Sequence, residues 1–161
     1  MIRNTTILLL VMLSACATSP GFRLEQIDYN LTPKNALQVD ERVRGKQVLW
    51  GGTILSSKNF TDHTRLEVLA YPLDKEGRIS TDAEPLGRFY ALHSGYLETA
   101  EYSKNRWLSL TGTYIGLEKG KVGSADYTFP VVNINQTYLW TEESMSSGSP
   151  NVHFGIGVMF H

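Results

Sequence analysis

The sequence predicts an all-β fold with one or two short helices, arranged as a small antiparallel Greek-key β-barrel. Apolar and polar residues alternate with a period of two in five or six segments between Gly45 and the C-terminus. Glycines interrupt several of these segments, where a closing sheet needs room to bend. A long polar excursion separates the third segment from the fourth. Five such strands fit the oligonucleotide/oligosaccharide-binding (OB) type of barrel, whose closure removes exposed sheet edges.

The first 15 residues have the layout of a cleaved signal peptide. Arg3 precedes an apolar run at 7–13, which is about half the ~20 residues that a membrane-spanning helix needs. The stretch Leu13-Ser14-Ala15-Cys16 then resembles a bacterial lipobox. This resemblance implies cleavage between Ala15 and Cys16 and a covalent lipid on the Cys16 thiol. The alternative is an ordinary signal peptide followed by an incidental cysteine.

Charge and cysteine content narrow the possible partners. With 15 basic and 16 acidic residues, the chain lacks the positive charge that nucleic-acid binding requires. Cys16 is the only cysteine, so its lipidation leaves no thiol for a disulfide, a metal or a nucleophile. We therefore expect no cofactor other than the covalent lipid, and outer-membrane lipid is the expected partner of that anchor. Ala17 follows the cysteine in place of the aspartate that resembles an inner-membrane signal, which predicts an outer-membrane protein facing the periplasm.

After the signal peptide, the chain divides into three parts. Residues 16–32 show no clear period and are predicted to be the lipidated N-terminus and a flexible tether. Residues 33–143 form the predicted barrel domain. It opens with a short helix that starts at Thr32-Pro33, stops at Gly45 and caps one barrel end. Residues 144–161 are a polar linker and a C-terminal strand.

The first three predicted strands are separated by clear turn signals. The first places Val48, Trp50 and Ile54 on one face, and its Gly51-Gly52 pair marks a bulge or a sharp bend. The second alternates over 65–70, and Pro72 ends it. A polar loop over 74–85 leads to the third strand, predicted over 86–92.

The fourth and fifth strands are predicted to be long. An excursion over 93–105 precedes the fourth strand, residues 106–117, in which Gly112 and Gly116 allow bending. A turn is predicted at 119–121. The last strand places four apolar residues on a single face: Val132, Ile134, Tyr138 and Trp140.

The C-terminal residues 152–160 alternate most regularly of all, with apolar side chains at every second position. Two interpretations remain open. The segment forms an extra strand on the same barrel, or it docks on another molecule.

Four stretches together resemble the Slp-type, starvation-inducible outer-membrane lipoproteins of Gram-negative bacteria. They are 45–52 (GKQVLWGG), 64–74 (TRLEVLAYPLD), 87–97 (GRFYALHSGYL), and 107–116 (WLSLTGTYIG) continuing to 127–132 and Leu139-Trp140. The chain departs from the family pattern in the excursion. Glu98-Thr99 replaces a common Asp-Pro, and Asn105 replaces the glycine that commonly precedes the arginine. The resemblance implies an outer-membrane location, expression linked to stress and a role in envelope stability, and it supplies no catalytic residues.

No catalytic or metal site emerges from the sequence. The four histidines lack metal-ligand spacing, and no nucleophile motif occurs. Seventeen aromatic residues remain as a possible binding signal, and Tyr90, Tyr96 and Trp107 are the candidate binding face. Two hypotheses follow. The first is a non-enzymatic envelope protein that contacts lipid, peptidoglycan or another protein, and the alternative is a periplasmic module that binds a glycan or peptide.

Overall fold

A computed structural model describes residues 20–146 as a five-stranded barrel with one capping helix. The elements follow in chain order: α1 (Pro33–Val43), β1 (Gln47–Asn59), β2 (His63–Ala70), β3 (Arg88–Ser94), β4 (Trp107–Val122), β5 (Ala125–Trp140) and the short α2 (Glu142–Ser146). The all-β fold class predicted from the alternation is confirmed.

The strands close in the order β1-β2-β3-β5-β4, and β4 pairs back onto β1. All neighbours are antiparallel except β3 and β5, which run parallel where Tyr90–Leu92 face Val131–Asn133. The loop at 95–106 connects β3 to β4 and brings the chain back beside β1. There the Asn105 amide donates to the Ile54 carbonyl, and the Ile54 amide donates to the Arg106 carbonyl. This is the connectivity of a Greek-key barrel of the OB type.

Strand β1 joins the two halves of the barrel by changing partners at Gly52. Residues 47–53 pair with β4, whereas residues 52–59 pair with β2. The strand has its bulge at Leu55, where the pairing with β2 shifts, and not at the Gly51-Gly52 pair. A Cβ on Gly51 would lie 2.6 Å from the Leu108 carbonyl oxygen, so the glycines are needed for close backbone approach.

Inward-facing apolar residues from all five strands form one core inside the barrel. Its aromatic centre is Trp50, whose ring meets Phe89 edge-on at 5.1 Å and Tyr114 at 6.1 Å. Such edge-to-face geometry is favourable beyond the area that it buries. The larger buried aliphatic members are Leu31, Val43, Val48, Ile54, Leu66, Val68, Leu108, Leu110 and Val132.

The hairpin of β4 and β5 differs from the prediction in two respects. The turn predicted at 119–121 is wrong, because these residues still pair with β5 and the chain reverses at Gly123-Ser124. The single face predicted for β5 is also wrong. Pairing shifts between Thr111 and Gly112, which leaves Asn135 as a bulge. Because a bulge inverts the alternation, Tyr138 and Trp140 lie on the opposite face from Ile134.

Helix α1 caps the barrel, as the sequence predicts. Thr32 and Asn35 form a reciprocal capping box, with Pro33 as the first helical residue. The buried Ala36 and Val43 face the core. On the same side, the Tyr114 hydroxyl of β4 donates to Asp40 Oδ1 at 2.7 Å, which ties the helix to the barrel wall.

The segment before α1 is packed, so the flexible tether predicted for 16–32 is wrong over its second half. Ile27 pairs with Gln47 at the start of β1, and Leu31 is only 4% exposed. Lys46 also binds Asp28 at 2.6 Å. Nothing in the local periodicity shows these contacts, because they are made to residues distant along the chain. The C-terminal strand predicted at 152–160 lies outside the described residues, as do Ala15 and Cys16.

Candidate ligand-binding cavity

A cavity of about 550 Å³ opens where β1 and β2 diverge. The two strands pair only from Gly52 onward, and the last contact before the gap is the Tyr71 amide donating to the Gly51 carbonyl at 3.0 Å. The start of α1 and the loop after β2 close the gap. We call this space the β1–β2 cavity. Its apolar lining consists of Tyr29, Leu31, Pro33, Leu49, Trp50, Ala70, Tyr71, Pro72, Leu73 and Leu86.

The inner wall of the β1–β2 cavity is held together by a buried hydrogen bond. The Trp50 indole donates to the Leu31 carbonyl at 2.6 Å, which joins β1 to the segment before α1. Both residues are buried, and Trp50 continues into the barrel core. Preformed apolar pockets of 300–1,000 Å³ are typical small-molecule sites, and this cavity lies within that range.

The outer wall is the loop over 71–87, which its own polar groups fix in place. Asp74 Oδ1 accepts from the amides of Glu76 and Arg78 at 3.0 and 2.8 Å, which stabilises a tight turn. The Gly77 carbonyl at this turn accepts from the buried Ser109 hydroxyl at 2.6 Å. The loop is therefore attached to the outer face of β4.

Residues near both ends of the described chain are connected to this loop. The Phe22 ring lies against Gly77, where an added Cβ would be 3.0 Å from a ring carbon. The Trp140 indole donates to the Ser109 hydroxyl at 2.9 Å, and Ser109 in turn binds Gly77. Phe22 directly, and Trp140 through Ser109, are thus connected to the same turn beside the cavity.

The rim of the β1–β2 cavity carries both signs of charge. Lys75 and Glu76 both line it and are exposed. Among the described residues, neither side chain forms an ion pair, whereas Asp74 is engaged by its own loop. An apolar interior with a positive and a negative group at the rim suits an amphipathic ligand.

The three aromatic residues of the candidate binding face do not form one surface. Tyr90 is 9% exposed and stacks on Phe129 at 4.0 Å, with the Arg65 guanidinium 4.5 Å from the Tyr90 ring centroid. Burial raises the pKa of Tyr90 above its ordinary value. Tyr90 is therefore engaged by neighbours on both β2 and β5.

Tyr96 and Trp107 lie elsewhere. Tyr96 is 67% exposed in the loop after β3, and its hydroxyl binds Glu98 at 3.2 Å. The Glu98 carboxylate raises the pKa of Tyr96. Trp107 packs on Tyr71 at 5.2 Å, behind the wall of the β1–β2 cavity. Ligand binding by these three residues stays a prediction.

Sequence reasoning missed the cavity because its outer wall comes from a loop. Tyr71, Leu73 and Leu86 flank a stretch that is rich in charge and turn residues, and that stretch has no period. The one available signal was the presence of large apolar residues at the two ends of a polar loop. Within residues 20–146, the structure contains no cluster of three or more potential metal ligands and no helix long and apolar enough to span a membrane.

Comparison with known proteins gives the family. The model of the outer membrane lipoprotein Slp family matches residues 13–157, which is most of the chain. The chain belongs to this family. As a Slp-family member it is a lipoprotein of the outer membrane, in agreement with the signal and lipobox of its sequence.

Three proteins from Escherichia coli and Haemophilus influenzae are similar in sequence to this chain. The outer membrane protein Slp of Escherichia coli K12 is 30% identical over 96 residues, 60% of this chain and 50% of that protein. This chain thus spans half the length of that relative. An uncharacterized lipoprotein of the same strain, YeaY, is 27% identical over 81% of this chain and 67% of its own length. An uncharacterized Haemophilus influenzae protein is 31% identical over 80% of this chain and 70% of its own.

Two solved structures are similar to part of the chain. The mitochondrial single-stranded DNA-binding protein Rim1 of S. cerevisiae is 13% identical, with a TM-score of 0.39. The small single-stranded DNA-binding protein of Streptomyces coelicolor is 13% identical, with a TM-score of 0.36. Each match covers 59% of this chain and 94% of the other. Similarity at this level carries no inference about what the Slp-family chain binds.

Proposed function

We propose that this Slp-family protein is a non-enzymatic, lipid-anchored component of the outer membrane that supports envelope integrity by binding an apolar ligand. The preformed β1–β2 cavity is the observation that carries the proposal. Two of its polar lining groups, Thr32 and Asp74, are already used by the helix cap and the loop turn. The remaining lining is mostly apolar, which suits binding better than acid–base or nucleophilic chemistry.

The alternative function, glycan or peptide binding on Tyr90, Tyr96 and Trp107, has weaker support. Sugar recognition on a barrel face needs accessible aromatic rings on a common surface. Tyr90 is covered by Arg65 and Phe129, and Trp107 packs on Tyr71. The β1–β2 cavity is the better-formed site.

A cavity-filling variant tests the proposed function in cells. We expect a strain lacking the protein to take up more of a hydrophobic dye across its outer membrane in stationary phase. Wild type should restore the barrier, whereas Leu73→Trp, which fills the cavity, should not. Leu37→Trp is the matched control, because Leu37 is 42% exposed on α1 and does not line the cavity.

Two outcomes would contradict the proposal. Unchanged dye uptake in the deletion strain would remove the envelope role. Full restoration by a stably expressed Leu73→Trp would show that the role does not depend on the cavity.

A further inference from the structure

We propose that the β1–β2 cavity takes up an acyl chain of a zwitterionic glycerophospholipid from the membrane to which the protein is anchored. This inference rests on the proposed function and names its ligand class. Three observations carry it: the lining of the cavity, the charges at its rim and the distance to the lipid anchor.

The lining suits a flexible hydrocarbon chain. The interior is built from aliphatic and aromatic carbon, and the buried polar groups next to it are satisfied within the protein. The Trp50 indole and the Leu31 carbonyl bond each other, and the Thr32 hydroxyl caps α1. A ligand that offered hydrogen bonds deep in the cavity would leave them unmet, which costs affinity. A hydrocarbon tail makes no hydrogen bonds with water, so it loses none on entering the cavity.

The rim suits a headgroup that carries both charges. Lys75 and Glu76 are adjacent, exposed and both part of the cavity lining. A zwitterionic phospholipid presents a phosphate, which a lysine attracts, and an ammonium group, which a carboxylate attracts. A free fatty acid or an anionic phospholipid would pair with Lys75 but would be repelled by Glu76.

The distance to the anchor places the cavity close to the bilayer. Phe22 is packed on Gly77, next to Glu76 of the rim. Cys16, the predicted lipidation site, precedes Phe22 by six residues, so the chain between them spans at most about 22 Å. That is roughly half the thickness of a bilayer with its headgroups. Membrane phospholipid therefore lies within reach of the cavity.

Photocrosslinking in defined vesicles tests this inference. The full lipoprotein is purified with p-benzoylphenylalanine in place of Tyr29, an aromatic replacement at a lining position that is 44% exposed. It is reconstituted into vesicles of equal parts phosphatidylethanolamine and phosphatidylglycerol and irradiated, and the mass of the adduct is measured. We expect adducts with phosphatidylethanolamine to exceed those with phosphatidylglycerol several-fold.

The controls separate cavity binding from mere proximity to the membrane. The same photoreactive residue in place of Tyr96, another exposed tyrosine that is outside the cavity, should give little lipid adduct. Glu76→Lys should shift the adducts at the Tyr29 site toward phosphatidylglycerol. A second photoreactive site in place of Leu73 repeats the measurement if the first replacement disturbs folding, which the melting temperature would show.

Three results would overturn the inference. An internal crosslink to the peptide that carries Cys16 would mean that the protein's own anchor occupies the cavity. Equal adducts at the Tyr29 and Tyr96 sites would mean surface contact with the bilayer. Absence of lipid adducts at the folded Tyr29 and Leu73 variants would mean that the cavity does not take up phospholipid, while the cellular test of Leu73→Trp would still decide the envelope role.

Discussion

Among single residues, Tyr114 links the barrel core to its cap. Its side chain is fully buried beside Trp50, and its hydroxyl donates to Asp40 on α1. Burial, and then the bond to the Asp40 carboxylate, raise the pKa of Tyr114 far above its ordinary value of 10.0. The hydroxyl therefore remains a neutral donor at any physiological pH. Arg44 holds the other carboxylate oxygen of Asp40 at 2.8 Å.

Removing this hydroxyl should weaken the barrel measurably. Tyr114→Phe keeps the ring and deletes one hydrogen bond to a charged acceptor, which is worth about 1.5–3 kcal/mol. We expect a loss of this size in the free energy of urea unfolding. Tyr96→Phe is the control, because its bond to Glu98 is exposed and its removal should cost less than about 0.5 kcal/mol. Equal losses for both variants would contradict the role of Tyr114.

The Asp40 carboxylate should make stability depend on acid pH. The bond from Arg44 is the main cause that lowers the pKa of Asp40 below its ordinary 3.8, the Tyr114 bond adds to it, and burial opposes both. Since the pKa of Asp40 is lower in the folded state, this stabilisation is fully present when the pH is above the pKa of Asp40 in the unfolded state. It is lost as pH falls through 3.8 toward the lower folded value.

We therefore expect the urea concentration at the unfolding midpoint to decrease as the pH is lowered from about 5 to about 3. The urea midpoint of the Asp40→Asn protein should decrease less steeply, because asparagine keeps an acceptor for Tyr114 and removes the titrating group. Asp28 contributes in the same direction, since the bond from Lys46 lowers its pKa. It remains in both proteins and does not affect the comparison. Parallel profiles for wild type and Asp40→Asn would contradict the prediction.

At the level of strands, close backbone contacts decide which glycines matter. A Cβ on Gly52 would overlap the Leu69 carbonyl oxygen, because β1 exchanges its pairing partners at this residue. Gly95 also has a positive φ, +81°, but a Cβ there would meet nothing within 4 Å.

Gly52→Ala should therefore be much more harmful than Gly95→Ala. We expect a loss of about 3 kcal/mol at Gly52, where the backbone itself must move. Gly95→Ala should cost only the backbone strain of a left-handed residue, about 1–2 kcal/mol. Chemical unfolding of both variants measures the difference. A Gly52→Ala protein as stable as Gly95→Ala would show that β1 can separate from β2 without loss.

The strands also show what could be predicted from sequence. Alternation places Leu66, Val68 and Ala70 correctly on the buried face of β2, because the bulge in the β1–β2 pairing lies in β1 and β2 pairs with β3 without a shift. The same reasoning fails across Asn135, where a bulge inverts the faces of β5. A bulge is set by how two distant strands fit together, and no local residue pattern announces it.

The hairpin turn and the cavity were not predictable for a related reason. Gly120 resembles a turn glycine, yet it lies in β4 beneath the Phe129 ring. A Cβ added at Gly120 would lie 3.0 Å from a carbon of that ring. Leu31 and Leu73 lie in segments without a period. Leu31 is buried and bonded to Trp50 of β1, whereas the half-buried Leu73 pairs with Ile79 inside its own loop. Cap signals act within one helical turn, so Thr32 and Pro33 were identified correctly from the sequence.

In the molecule as a whole, Phe22 and Trp140, near the two ends of the described residues, lie on the same side as the cavity. Phe22 and Trp140 both reach the Gly77 turn, directly or through Ser109. We expect a lipid on Cys16 to hold this side of the barrel, with the β1–β2 cavity, near the membrane.

Deletion of the C-terminal segment tests whether it docks on this barrel. Removing residues 152–161 should lower the melting temperature by several degrees if their apolar face packs on the protein, since 1 kcal/mol corresponds to about 2–4 °C at this size. Phe154→Ser combined with Ile156→Ser should produce a similar decrease without shortening the chain. Unchanged melting curves for both variants would point to an external partner instead.

The lipid anchor determines where all of these properties act. Several acyl chains hold a protein stably at a membrane, whereas one binds marginally. We expect palmitate label in the outer-membrane fraction for wild type, and neither label nor outer-membrane recovery for Cys16→Ser. Ser19→Ala, three residues beyond the lipidation site, should behave as wild type. An unlabelled, soluble wild type would contradict the assignment of Cys16. It would also remove the proximity to phospholipid on which the ligand of the β1–β2 cavity was inferred.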